Sequence, residues 1–219
     1  MLEFQNLQKD NWHRYEESVL QSESVYPEAI RTPAEEFVYI LEGGDAIAIV
    51  ALLDSHYVGN IIGFTLDRDE LGDYGMGDVP SESEIVYLFS FVINPQYQGM
   101  GYGYRLLEEF MREARARGYR KVIGHFRPNN SLHLIKKFGA EEKGVYRDWI
   151  GSGEDYLFCC LDLNDASERT QQEHSDVGFS RQIPELQEQD MLPGQPAVSI
   201  PEVSPIEHQH DHHALEHSH

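Results

Sequence analysis

Residues 90–107 constrain this chain most. They read Ser-Phe-Val-Ile-Asn-Pro-Gln-Tyr-Gln-Gly-Met-Gly-Tyr-Gly-Tyr-Arg-Leu-Leu. An apolar strand runs into Asn94-Pro95, a turn follows with glycine at 99, 101 and 103, and an amphipathic helix begins. Glycine permits backbone angles that a Cβ forbids, and it lets a ligand approach the main chain. The first turn of the helix has N–H groups without an internal partner, and the helix dipole adds positive potential there. Such a turn is a site for a phosphate group. A Walker loop needs a Lys that is absent here, and the dinucleotide fingerprint needs G-x-G-x-x-G rather than Gly99-x-Gly101-x-Gly103. A third pattern is present, Gln98-x-x-Gly101-x-Gly103 after a strand and Asn-Pro. The alternative is a strand–helix turn that merely tolerates glycine.

The rest of the chain divides by composition. Hydrophobic runs continue to about residue 163, enough for one domain with a full core. Residues 164–219 are acidic and rich in Gln, Pro, Ser and His, and are expected to be a disordered tail. Residues 1–90 carry 18 acidic and 4 basic side chains, whereas residues 91–164 carry 9 and 11. The net charge of −21 disfavours nucleic acid and anionic membranes as partners. A near-neutral second half suits an anionic ligand, and an acidic first half suits a cationic one. The only cysteines, Cys159 and Cys160, point to opposite faces of a strand and cannot pair. Free thiols and the lack of a signal peptide lead us to expect a cytoplasmic protein. No run reaches the ~20 apolar residues of a membrane helix.

Taken in order, the pattern predicts a strand at 2–7 and a helix capped by Asp10 that runs to about 21. Thr32-Pro33-Ala34-Glu35 reads as a capping box opening a helix to about 42. Strands at 46–54 and 57–66 form a hairpin around Ser-His. Residues 67–83 read as a long acidic loop, a candidate for binding a basic substrate. Then come a central strand at 84–93, a helix at 102–117 and a parallel strand at 121–127. A short helix from 129–130 to 138 and strands at 142–149 and 156–162 complete the series.

This order, with Gln98-x-x-Gly101-x-Gly103 and the run Leu134-Ile-Lys-Lys-Phe-Gly-Ala140, resembles the GNAT superfamily of N-acyltransferases. The resemblance implies an α/β (α+β) fold, with a mixed sheet of about seven strands flanked by about four helices. It implies acetyl-CoA as co-substrate and a primary amine as acceptor. From the charge that acceptor is expected to be cationic: a polyamine, a basic amino acid, an amino sugar or a protein amine. The amine attacks directly in a ternary complex. A homodimer is a further expectation, since many relatives dimerise.

Residue by residue, the resemblance assigns the pyrophosphate to the backbone of Gly99, Met100, Gly101, Tyr102, Gly103 and Tyr104, with Gln98 shaping the turn. Phe91, Val92 and Ile93 would splay from the next strand and pair with the pantetheine arm, an amide near Val92 polarising the thioester. Asn130 stands near an Asn that contacts the arm. Many members place a Tyr where this chain has Ile135. The proton donor to the departing thiolate must then be another phenol (Tyr146, Tyr156 or Tyr87) or water, or the protein is a non-catalytic acyl-CoA-binding module. The attacking ammonium must lose a proton. Glu84 is the first candidate base and Tyr87 the second, with His125 and His133 behind them. No metal is expected at the site. The histidines from His208 to His219 could hold zinc or nickel, but read more simply as a polar terminus.

Overall fold

The computed structural model describes residues 1–76 and 82–164. The His-rich stretch and the expected tail beyond Asn164 lie outside the described residues. Seven strands form one mixed sheet: β1 (Leu2–Asn6), β2 (Ile47–Leu53), β3 (His56–Phe64), β4 (Ile85–Ile93), β5 (Lys121–Phe126), β6 (Glu141–Tyr146) and β7 (Tyr156–Asp162), in the order β1-β2-β3-β4-β5-β7-β6. Five helices accompany them: α1 (Glu16–Ser22), α2 (Ala34–Glu42), α3 (Arg68–Asp73), α4 (Tyr102–Ala116) and α5 (Asn130–Lys137). Every neighbouring strand pair is antiparallel except β4 with β5, which the α4 crossover joins in parallel.

Both faces of the sheet are covered, and alternation along the strands explains why β2 is apolar throughout. Ile47, Ile49 and Ala51 of β2 pack under α4 and α5, through Leu106, Leu107, Phe110, Met111 and Ile135. Ala48 and Val50 face α1 and α2, through Val19, Phe37 and Ile40. Farther along that second face Leu71 of α3 packs on Ile85, Ile123 and Phe158.

Several local expectations are corrected. Asp10 caps nothing: a 3-10 turn at Trp12–Arg14 intervenes, and α1 starts only at Glu16. The box at Thr32 is not formed, because Pro33 occupies the cap and the Thr32 N–H goes to the Glu23 carboxylate at 3.1 Å. The β2–β3 turn is Asp54-Ser55, both at positive φ, rather than Ser-His. The loop expected over 67–83 contains α3, opened by a formed capping box in which Asp67 accepts from Glu70 N and Glu70 accepts from Asp67 N. The strand expected to run to 149 ends at Tyr146. Among the described residues no helix is long and apolar enough to cross a membrane.

Candidate active site

At the C-terminal end of β4, Asn94 accepts from Gln96 N to start a 3-10 turn, and Gln98 Nε2 donates to Ile93 O at 2.9 Å. Gly99 and Gly101 take φ of 77° and 80°, and Gly101 is the left-handed N-cap of α4. The hydrogen bonds of α4 begin with Arg105 N onto Gly101 O, so the N–H groups at 102 and 103 project from the helix end. Met100 is 59 % exposed over this turn, and Tyr104 lies with its ring 4.7 Å from that of Phe138. A Cβ on Gly103 would contact Leu134, Ile93 and Phe91 at 3.4–3.7 Å, which ties the turn to the end of β4. Asn130 is exposed at the first position of α5, while Asn129 makes the cap by accepting from Ser131 N.

Strands β4 and β5 are paired only at Ile85–Lys121, Val86–Val122 and Tyr87–Ile123. Beyond Tyr87 they part, and β4 continues bonded to β3 alone. Gly124 sits at the point of divergence, where a Cβ would meet Leu88 O at 3.0 Å. A bulge places Ser90 opposite Ile62 and Leu88 opposite Gly63, leaving Phe89 unpaired in the register. Phe91 turns both its main-chain groups into the gap, and both meet the Tyr26 hydroxyl. The Val92 amide is turned the other way. Its carbonyl lies over Gly59 of β3, and the Asn94 N–H two residues on bonds Val58 O.

Below the gap the α3 face carries a box of rings. The His125 imidazole stacks on Trp149 at 3.9 Å and meets Tyr146 at 4.6 Å, Tyr74 at 4.8 Å and Phe158 at 4.9 Å. Its Nδ1 lies 3.0 Å from Tyr87 Oη. Burial holds the Tyr87 phenol well above its usual value, so it keeps its proton and donates to Nδ1. Burial also pushes His125 down to about 3, so the ring is neutral and its own proton sits on Nε2. Nε2 and Tyr156 Oη are buried without a partner among the described residues. Buried polar atoms are ordinarily satisfied, so these two are groups of the box with hydrogen-bonding capacity still to fill.

Comparison with known proteins agrees with this geometry. Residues 2–140 match the model of the "Acetyltransferase (GNAT) family". The chain belongs to the GNAT acetyltransferase family. An N-alpha-acetyltransferase from Sulfurisphaera tokodaii is 29 % identical over 122 residues, covering 54 % of this chain and 71 % of that protein. The ribosomal-protein-S18-alanine N-acetyltransferase from Escherichia coli shares the fold at TM-score 0.57 and 17 % identity, over 74 % of this chain and 94 % of the other. So does the loading GNATL domain of CurA from Lyngbya majuscula, at TM-score 0.59 and 15 % identity, over 75 % and 99 %.

Acetyl-CoA is the acetyl donor of GNAT enzymes. The residues present fit it, with a glycine turn at a helix N-terminus for phosphate and, at Phe91, a main-chain donor and acceptor side by side in the gap. The other expected groups of this acetyltransferase lie elsewhere. Glu84 precedes β4 at the opposite end of the strand and pairs with Arg120 at 3.6 Å. His133 is exposed on α5, and Ile135 is 1 % exposed in the core under α4. Tyr146 belongs to the box. Of the acids in the 67–78 stretch, Asp67 and Glu70 serve the α3 cap, while Asp73 lines a 580 Å³ cavity that Lys121 and Lys143 also line. Asp78 of that stretch lies outside the described residues.

One buried carboxyl lies behind β4. Glu23, 3 % exposed, accepts from Thr32 N and from Ser90 Oγ, which in turn accepts from Asn60 Nδ2. Desolvation raises its pKa above the ordinary 4.5. The folded state therefore favours the protonated acid, and this stability is present below pH 4.5 and is lost as pH rises through the folded-state value. Glu23→Gln, which keeps a neutral group there, is expected to melt at a higher temperature than the parent at pH 7. The difference should shrink towards pH 4, as read by thermal melts across that range.

Proposed function

We propose that the protein transfers an acetyl group from acetyl-CoA to the N-terminal amine of a peptide or protein, by direct attack within a complex of both substrates. The observation that carries this reading is the Tyr87–His125 pair, boxed by rings beside the gap into which the Phe91 amide points. Acetyl-CoA supplies a thioester carbonyl as electrophile. The turn from Gln98 to Tyr104 holds the pyrophosphate, and Phe91 N–H faces the oxygen that gains charge. Tyr87 Oη takes a proton from the attacking amine while passing its own to His125 Nδ1. The C–N bond forms, the C–S bond breaks, and its electron pair leaves on sulfur as the thiolate. An amine nitrogen bonded to the former carbonyl carbon is far more acidic than a free ammonium, so an imidazole held near 3 still serves as a transient proton holder. The imidazolium then returns its proton to water. Glu84 has no part in this scheme.

Two observations favour a peptide amine. The 3-10 turns Glu28–Ile30 and Trp149–Gly151 meet beside the box, giving the acceptor side walls from two chain segments. Arg127–Glu154 and Arg147–Asp155 ion pairs brace the second. The similar proteins from Sulfurisphaera tokodaii and Escherichia coli are named an N-alpha-acetyltransferase and a ribosomal-protein-S18-alanine N-acetyltransferase. Incubating the protein with acetyl-CoA and panels of free peptides, N-terminally blocked peptides, polyamines and amino sugars tests this. Thiol release with free peptides, and an acetyl group mapped by mass spectrometry to the first residue, is expected. Release on polyamines or sugars alone overturns the peptide assignment. Acetyl-CoA binding without release on any amine supports instead a non-catalytic binding module, the reading that Ile135 favours.

A further inference from the structure

One of the protein's own side chains occupies the donor gap. Tyr26 Oη accepts from Phe91 N–H at 3.3 Å and donates to Phe91 O at 3.2 Å, so a single hydroxyl satisfies both main-chain groups that Phe91 turns to the gap. The geometry points to Tyr26 as a placeholder that the amide-bearing arm of the donor displaces, and whose hydroxyl is then handed to the acceptor side. This inference rests on the reading above that Phe91 is the donor amide.

The chemistry of the exchange is restrictive. A ligand that removes Tyr26 must bring both an acceptor and a donor, or leave a part-buried main-chain group unpaired. The acetylated arm carries both in sequence: its thioester carbonyl accepts from Phe91 N–H, and the N–H of the neighbouring pantetheine amide donates to Phe91 O. A ligand with only one of these capacities cannot replace the hydroxyl without loss.

The mechanics favour a swing of the ring over a movement of the loop. Arg31 Nε donates to Tyr26 O at 2.9 Å, and Arg127 Nη2 donates to Val25 O at 2.8 Å. The main chain on both sides of the side chain is thereby fixed. The Arg127 guanidinium lies 5.4 Å from the Tyr26 ring centroid and gives the ring a platform to turn on. No main-chain hydrogen bond has to break for the hydroxyl to leave Phe91.

A destination is also present. Tyr156 Oη is buried without a partner among the described residues. Arg127 links the two segments: its guanidinium lies 5.4 Å from the Tyr26 ring centroid and pairs at 3.2 Å with Glu154, two residues before Tyr156. A released Tyr26 hydroxyl that bonds Tyr156 satisfies that orphan and brings a second phenol to the acceptor side. Donor binding then assembles the acceptor site, and the donor has to bind first.

Calorimetric titration of the full chain and of Tyr26→Phe with acetyl-CoA tests this. Removing the competing hydroxyl is expected to lower the Kd for acetyl-CoA about two- to tenfold, the worth of one net hydrogen bond. The acceptor KM should rise by a similar factor. Adenosine 3′,5′-bisphosphate, which has no amide arm, should bind both proteins equally and so report that the variant is folded. Tyr156→Phe, which removes the waiting partner, should weaken acetyl-CoA binding by a similar factor. Equal or weaker acetyl-CoA binding by Tyr26→Phe, with the bisphosphate unaffected, overturns the placeholder, and unchanged binding by Tyr156→Phe overturns the handover. If the unaltered protein binds neither acetyl-CoA nor the bisphosphate, the donor-site reading fails and takes this inference with it.

Discussion

Replacing His125 by Ala is expected to lower kcat about 100-fold or more, the scale of a lost proton-transfer group, with the Kd for acetyl-CoA unchanged. Tyr87→Phe should match it. The double variant should be little worse than either alone, because the two groups act as one relay across a single 3.0 Å hydrogen bond. The pH profile separates this role from a packing role. Since burial holds His125 down to about 3, the imidazole stays neutral throughout the working range. The rising limb of kcat/KM should therefore follow the pKa of the acceptor amine and move when a less basic amine is used. His125→Ala should lower the plateau without moving that limb, and added imidazole should restore part of the rate. A limb that stays fixed as the amine is changed, or a variant with undiminished kcat, counts against the relay.

The second large effect concerns binding rather than chemistry. Gly99→Val combined with Gly101→Val places β-branched residues at φ of 77° and 80°. No atom lies within 4 Å of either new Cβ, so the penalty is conformational rather than steric. At about 1–2 kcal/mol for each left-handed residue, the turn should abandon its shape. The affinity for acetyl-CoA should then fall about 30-fold or more, while kcat at saturating donor stays near the parent value. Calorimetry with steady-state kinetics reads both quantities. The two experiments are complementary: one variant binds without reacting, and the other reacts once filled. A double valine variant with normal affinity means that the phosphates lie elsewhere.

The glycine turn was legible because local chemistry dictates it. A proline stop, three spaced glycines and an apolar stripe each act within a few residues. The strands were legible for the same reason. The relay was not. Tyr87 and His125 are 38 residues apart, and only the parallel register that sets Tyr87 against Ile123 brings them together. In the sequence each is a separate candidate base, and nothing marks the two as a pair. Tyr26 was missed because its partner is a main-chain amide, 65 positions away, that no side-chain pattern marks. Misjudged caps have a common cause. Thr32 has the right spacing, but its N–H is claimed by Glu23 from another helix. Asp67-x-x-Glu70 had the same kind of signal, followed by Leu71, which is fully buried, and there the box did form. Capping motifs propose helix starts, and tertiary competition for the same N–H decides among them.

The early parting of β4 from β5 has one more consequence. A strand with an unpaired row of amides normally invites another chain to add alongside, and soluble proteins suppress such edges with charge, bulges or cover. Here the open row lies in the interior of the sheet, between strands β4 and β5 rather than at either border. The Tyr26 hydroxyl caps the row at Phe91, and β5, still paired with β4 as far as Tyr87, closes its near end. A feature that elsewhere promotes aggregation is, by its position, shielded from pairing with another sheet's edge.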